Sequence, residues 1–391
     1  MLAFTFPGQG SQKPGMGAAW VDHPSWELVE EASDACGRDV RHLLLDADAE
    51  ELKATRNSQL STFVLSLVVL DAVERIGIAP NLCAGHSLGE YSALTATGVV
   101  PFEDGVRLVA ERGEAMQVAA EETVGTMAAV LGLDDDKVAE ACDSIDGPVW
   151  VANYNAPGQV VIAGSREAIE AAGAAAKELG AKRSMPLPVS GAFHTPFMEP
   201  AGERLGKALK GVEFRAPSVP VIANVDAAAH QDADGWHDRL TSQLTSPVLW
   251  RQTLYRLDTE GVSRFVELGP GTVLTGMAKR TCRDSLTLSV GSPSDVDELL
   301  SKLTDASHSG PVAVEGENLF VTERVVVTSA AGIFTPRSDL DPGLSVKVGE
   351  ILGEVNGTPV HSPFAGAVMG VMAYEGERVT ARQPVAWLRT H

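Results

Sequence analysis

The sequence predicts an α/β protein: a body built on a mostly parallel sheet, a small antiparallel unit inserted in it, and an all-β tail. Three observations carry this. Residues 1 to about 122 alternate a short apolar strand with long helical runs. Residues 123–190 read strand, helix, strand, strand, helix, strand. Beyond about 322 the helical period disappears and only short strands with turns remain.

In the first segment LAFTF (2–6) is the strand, and SWELVEEASDACG, SQLSTFVLSLVVLDAVERIG and FEDGVRLVAERGEAMQVAAEE carry apolar residues at helical spacing. Strands separated by long helices pair in parallel, because each crossover returns the chain to the same end of the sheet. Next, TMAAVLGL, DDDKVAEACDSI, VWVANYN, QVVIAG, SREAIEAAGAAAKELG and AKRSMPLP give βαββαβ, the ferredoxin-like order. From 191 to about 306 the α/β text resumes with strands PVIAN and RFVELG and a last helix, SDVDELLSKLTDA, opened by Ser294. The Gly, Ser and Pro content of SHSGPVAVEGEN marks a linker over 307–322. The expected organisation is therefore a body from 1–122 and 191–306, a subdomain from 123–190, the linker, and a β domain from 323–391.

That last domain repeats itself. Offset by 33 residues, Val327 and Ser329 match Val360 and Ser362, Gly343 matches Gly376, and Val346 matches Val379. Two similar halves of three or four strands make a twofold sandwich. Its central hairpin turns at Asn356-Gly357, a pair suited to the positive φ angles of a type I′ turn.

Composition narrows the function. The 391 residues carry 31 Lys and Arg against 52 Asp and Glu, a net charge of −21, which opposes binding to nucleic acid or to an anionic membrane surface. Cys36, Cys83, Cys142 and Cys282 lie scattered without C-x-x-C spacing, so neither a disulfide framework nor a metal site is indicated, and a reducing cytoplasm is expected. MLAFTFPGQG has no basic start, and the longest apolar run, FVLSLVVLDAV (63–73), is about half a membrane span. A cytoplasmic monomer is the expectation.

The chemistry centres on CAGHSLGEYSAL (83–94), where Ser87 lies between Gly85 and Gly89 at a strand end and a helix start. A nucleophile elbow needs that junction and those glycines, because the tight turn presses backbone on backbone. The alternative is a serine capping an ordinary helix. A serine nucleophile requires a base and donors for an oxyanion. Among nine histidines, His194 in SGAFHTPFM lies in a Gly/Pro-flanked loop after a strand, the other reading being a solvated loop histidine. The backbone N–H of Leu88 opens the helix after the serine, and FPGQGSQ (6–12) after the first strand offers that of Gln9, unless it is a plain β-turn. Arg112 sits in an otherwise apolar helix beside Gly113, where something must approach closely; the alternative is a solvated helix arginine. A guanidinium fork suits a carboxylate.

FPGQGSQ, GHSLGEYSAL, RGEAMQ, NYNAPGQVVIAG, GAFHTPFM, LTSQLTSPVLW and FVELGPGTVLTGMAKR, in this order over residues 1 to about 306, resemble the malonyl-CoA:acyl carrier protein transacylase family. The resemblance implies an α/β-hydrolase-like body and a Ser–His dyad. Ser87 is then the nucleophile, His194 the base, Gln9 and Leu88 the oxyanion donors, and Gln243 the residue whose main-chain carbonyl orients the histidine. Arg112 clamps the malonyl carboxylate, Phe193 matches the AFH form of malonyl-selecting relatives, and Asn155 falls in the substrate site. Malonyl-CoA and acyl carrier protein are the implied partners, without a metal or redox cofactor. Docking an acidic carrier on so acidic a protein requires a local basic patch, with Lys182/Arg183 and Lys279/Arg280 as candidates.

A thioesterase would use the same serine, but it normally needs an Asp or Glu between nucleophile and histidine in the chain; Asp226 follows His194. The tail, with VHSPFAGAVMGVMAYEGERV, resembles the biotinyl/lipoyl carrier fold. The attachment lysine belongs at the central hairpin tip, which here reads EVNGTPV. The only lysine of the tail is Lys347, expected on the strand text LSVKVGEIL, so no biotin or lipoate is expected. A component of a biotin- or lipoyl-linked assembly is the remaining alternative.

Overall fold

LAFTF forms the strand Leu2–Phe6 at the middle of a six-stranded sheet, its residues buried almost throughout because helices cover both faces. The computed structural model describes residues 1–189, 191–305, 323–328, 331–380 and 383–389. The expected linker lies outside the described residues. By its contacts the chain divides into two compact units, Met1–Ser309 and Gly310–His391.

Across the sheet the order is Leu286–Val290, Arg264–Leu268, Leu2–Phe6, Leu82–Gly85, Val221–Ile222 and Ala229–His230. Every pairing is parallel except the last, so the sheet is mixed but predominantly parallel. Three adjacent strands, Leu2–Phe6, Leu82–Gly85 and Val221–Ile222, therefore point their carboxyl ends the same way. In open α/β sheets that is the end where ligands bind.

The helix Thr55–Arg75 is buried along most of its length, which accounts for its apolar text. Beside it runs Phe102–Glu122. A Cβ on Gly113 would lie 2.8 Å from the Arg56 Cα, so the close neighbour that this glycine admits is the backbone of the adjoining helix. The last helix of this unit is Pro293–Asp305 and does not start at Ser294. Ser292 precedes it and both its N–H and its hydroxyl donate to Asp295, while Pro293 fills the first helical position, where a missing N–H loses nothing.

Residues 126–186 form a four-stranded antiparallel sheet in the order Val149–Ala156, Gln159–Gly164, Thr126–Leu131, Arg183–Pro186. Helices Asp135–Asp143 and Arg166–Glu178 pack on it around Val130, Val138, Ile162 and Ile169. Tyr154 N–H donates to the Val248 carbonyl and Val248 N–H to that of Ala152, both at 2.9 Å, tying this sheet to the body next to Asn155.

The second unit contains two four-stranded antiparallel sheets, each taking two strands from each half of the repeat. Val326, Phe334, Val355, Val360, Val368 and Leu388 belong to a single core between them. The hairpin Ile351–Val355/Thr358–His361 turns at Asn356 and Gly357, with φ 48° and 79°. Lys347 departs from the expectation: the strand ends at Val346, and Lys347 opens a tight turn through Gly349 (φ 82°) in which its N–H donates to Glu350. The equivalent turn 33 residues on has Thr380 N–H donating to Gln383.

Candidate active site

Ser87 follows the strand Leu82–Gly85 and precedes the helix Gly89–Ala96, with φ at 51°. A Cβ on Gly85 would fall 1.8 Å from the Gly89 carbonyl oxygen, and one on Gly89 2.0 Å from that of Phe6. Only hydrogen fits at either position, so the two glycines flanking the serine are required by packing. The loop after Leu2–Phe6 lies on this turn: His86 N–H donates to Phe6, and a Cβ on Gly8 would meet the His86 carbonyl oxygen at 2.6 Å.

Backbone bonding around Ser87 is nearly complete. Its N–H donates to Asn224 Oδ1 at 2.7 Å, and Gly89, Glu90 and Tyr91 donate to the carbonyls of His86, Ser87 and Leu88. Leu88 N–H, between them, has no acceptor among the described residues and stands at the start of the helix. Gln9 stays half-buried in the turn after the first strand.

His194 stands beside the serine, Nε2 2.8 Å from Oγ, and its Nδ1 is 2.8 Å from the Gln243 main-chain oxygen. A carbonyl only accepts, so Nδ1 carries the proton and Nε2 is the free lone pair that receives the Ser87 hydroxyl. Burial and the neighbouring Arg112 guanidinium push the imidazole down to about 3 from 6.5, so the ring is neutral near pH 7. The loop that holds it is built locally: Thr195 Oγ1 donates to Ala192 and accepts from Phe197 N–H, fixing the turn into Pro196–Met198. Phe193 is buried and belongs to the core. A Cβ on Gly191 would meet its ring at 2.7 Å.

Arg112 is 1% exposed, and no carboxylate among the described residues hydrogen-bonds it. Its Nη1 donates to Gln59 Oε1 (2.6 Å), its Nη2 to Ser87 Oγ (3.1 Å) and to Gln243 Oε1 (2.8 Å). The guanidinium carbon lies 5.3 Å from the Tyr91 ring, and Nε has no hydrogen-bond partner among the described residues. Gln243 thus serves with its side chain as well as its carbonyl: Nε2 donates to the Ser87 carbonyl (3.0 Å) and to Glu90 Oε2.

Asn155 is not at the serine. It bonds His86 Nε2 through Oδ1 at 2.8 Å, and His86 rests edge-on against Trp250. Asp226 bonds His230 at 3.0 Å and takes no part in orienting His194. Among the described residues no group of three or more His, Cys, Asp or Glu is placed to hold a metal ion.

Gln59, Glu90 and Asn224 are the site residues that sequence reasoning missed. Gln59 is a buried polar residue on an apolar helix, a signal that was readable. Glu90 reads as an ordinary first-turn acid, and Asn224 lies two residues beyond a two-residue strand.

Residues 3–307 match the acyl transferase domain family. The malonyl CoA-acyl carrier protein transacylase of Escherichia coli K12 is 46% identical over 295 residues, covering 74% of this chain and 94% of the relative. The crystal structure of the acyl-carrier-protein S-malonyltransferase of Burkholderia pseudomallei superposes with a TM-score of 0.74 at 44% identity, over 77% of this chain and 99% of that one. A malonyl-transacylase solved in complex with a type II PKS acyl-carrier protein gives a TM-score of 0.74 at 40% identity, over 77% and 99%. With its serine, histidine and arginine brought together on this fold, the chain belongs to the acyl transferase family of the malonyl CoA-acyl carrier protein transacylases.

Proposed function

We propose that this chain moves a malonyl group from malonyl-CoA to the phosphopantetheine thiol of an acyl carrier protein, through malonyl-Ser87. The observation that carries the reading is the position of Ser87 Oγ, 2.8 Å from the lone pair of His194 and 3.1 Å from the buried Arg112 guanidinium. A buried cation without a counter-carboxylate is costly, and the free carboxylate of a malonyl thioester supplies one beside the acylated oxygen.

In the first half, Ser87 Oγ attacks the thioester carbonyl while its proton passes to His194 Nε2. The N–H groups of Leu88 and Gln9 receive the oxyanion, each such donor being worth about 10²–10³ in rate. Collapse breaks the C–S bond, and coenzyme A departs with the proton from His194. In the second half the carrier thiol gives its proton to His194, its sulfur attacks malonyl-Ser87, and Oγ leaves with that proton. The Gln243 carbonyl keeps the ring in one tautomer throughout. Phe193 limits bulk next to the malonyl α-carbon, and Asn155, bonded to His86 Nε2, acts on the site through His86. The exposed Lys182/Arg183 and Lys279/Arg280 supply the positive charge for the acidic carrier.

The body is of the α/β-hydrolase-like kind with a ferredoxin-like subdomain, and the second unit is a biotinyl/lipoyl-like sandwich that carries no prosthetic group. Its hairpin tip supports this: Asn356 Oδ1 accepts the Ile333 N–H at 2.9 Å, so the residue at the attachment position is bound down.

Intact-mass measurement tests the reaction. The protein mixed with malonyl-CoA gains one malonyl increment, which holo-acyl carrier protein then removes, while Ser87→Ala gains none. An adduct persisting in Ser87→Ala overturns the assignment of the nucleophile.

A further inference from the structure

Glu90, three residues after Ser87, is 1% exposed and lies within the acyl-transfer machinery without touching a reacting atom. Its two oxygens serve two different partners. Oε1 accepts the backbone N–H of Asn224 at 3.0 Å, and Oε2 accepts Gln243 Nε2. Each partner passes the constraint on. Asn224 holds both ends of the nucleophile turn, accepting Ser87 N–H and donating Nδ2 to the Gly85 carbonyl, each at 2.7 Å. Gln243 holds the Ser87 carbonyl, the His194 ring and Arg112 Nη2.

The Gln243 amide has one workable orientation because of this arrangement. With Nε2 toward Glu90 and the Ser87 carbonyl, Oε1 is left to accept from Arg112. Reversed, it would set oxygen against two oxygens and N–H against the guanidinium N–H. Glu90 decides the orientation, since it is the acceptor that only a donor can face.

We propose that Glu90, as a double acceptor, is the positioning residue that holds Ser87, His194 and Arg112 in register for acyl transfer. This rests on the acyl-transfer reading of the site. An ionised carboxylate presents acceptors alone on both oxygens, which is what the two N–H partners need. A glutamine, or a protonated Glu90, must turn a donor toward either the Asn224 N–H or the Gln243 Nε2–H, and one arm of the network opens.

Protonation of Glu90 is therefore a switch within the working range. Burial pushes its carboxyl up to about 7. The charged groups acting on it are Arg112, which pulls it down, and Asp226, which pushes it up, and the buried Tyr91 lies beside it. The sign separates geometry from folding. A carboxyl raised above its unfolded value of 4.5 binds its proton in the folded state first, so protonation between about 7 and 4.5 favours the fold while it opens the network.

The test is the rate of Ser87 acylation by saturating malonyl-CoA, read by intact mass from pH 8 to 5, with thermal melting at each pH. The wild type should lose about tenfold per pH unit below about 7 without an accompanying loss of melting temperature. Glu90→Gln should be slower at pH 8 by about 10²-fold, the scale of a small misplacement, and flat across the range. A Glu90→Gln protein with wild-type rate and profile overturns the proposal. If that variant does not fold, the wild-type profile alone decides: an acid limb that is absent, or that tracks unfolding, overturns it. A wild type that never acylates refutes the reaction itself and is recognised as such.

Discussion

Ser87 and His194 both hold left-handed backbone, at φ 51° and 62°, and their side chains meet at 2.8 Å. Non-glycine residues in that region cost roughly 1–3 kcal/mol each unless the surroundings over-determine them. Here they do: Gly85, Gly89 and Asn224 enforce the first turn, and Thr195 the second.

Gly89→Ala should damage both fold and reaction. The new Cβ would sit 2.0 Å from the Phe6 carbonyl oxygen, a backbone atom that yields only with the central strand. We expect a loss of at least about 1–3 kcal/mol, read by denaturant or thermal unfolding, with acylation falling in parallel. An unchanged unfolding midpoint would mean that strand and helix separate freely here.

Arg112→Ala should lower the malonyl rate far more than the acetyl rate, because only malonyl brings a free carboxylate. Loss of such a buried pairing is typically worth about 2–5 kcal/mol, so selectivity narrows or inverts. Steady-state kcat/KM on both thioesters checks it. Equal losses on the two substrates would show that the arginine only supports Gln59 and Gln243.

The stability profile with pH should carry the signature of His194. Its folded value, about 3, lies below the 6.5 of the unfolded chain, so the unfolded state takes up the proton first. The stability tied to neutral His194 is thus fully present above about 6.5 and is lost as pH falls toward 3. Unfolding free energies of wild type and His194→Ala, compared over that window, should converge on the acid side. Glu90 acts with the opposite sign between about 7 and 4.5 in both proteins and cancels in the difference. Parallel profiles would place the histidine in water.

A protein ending after Ser309 should keep transacylase turnover, since that is where the first compact unit ends. Intact mass of the full chain from its native host should show neither a biotinyl nor a lipoyl increment. A modified Lys347, exposed in its turn, would reverse that expectation, and a strongly reduced kcat in the shortened chain would show that the second unit supports the site.

The sequence by itself determined what neighbouring residues decide among themselves. Ser87 between two glycines at a strand–helix junction is a contiguous device, and the long apolar helices and the Asn356-Gly357 hairpin follow from periodicity and turn chemistry. Lys347 shows where local reading stops. Alternation alone extends the strand past Val346, but Val346 is the last residue there paired with a partner strand, at Gly366, and beyond it Gly349 turns the chain. Gly113 did mark a close approach, although only the tertiary structure showed that Arg56 is what approaches. The network of Gln59, Glu90, Asn224 and Gln243 was decided by tertiary structure altogether. Its members sit 153 residues apart in the case of Glu90 and Gln243; Glu90 and Asn224 meet because each follows the carboxyl end of one of two adjacent parallel strands, while Gln59 and Gln243 are brought in by helices. There the burial of Arg112 and Glu90 calls for hydrogen-bond partners from several segments, and a requirement shared between distant segments leaves no periodic trace in any one of them.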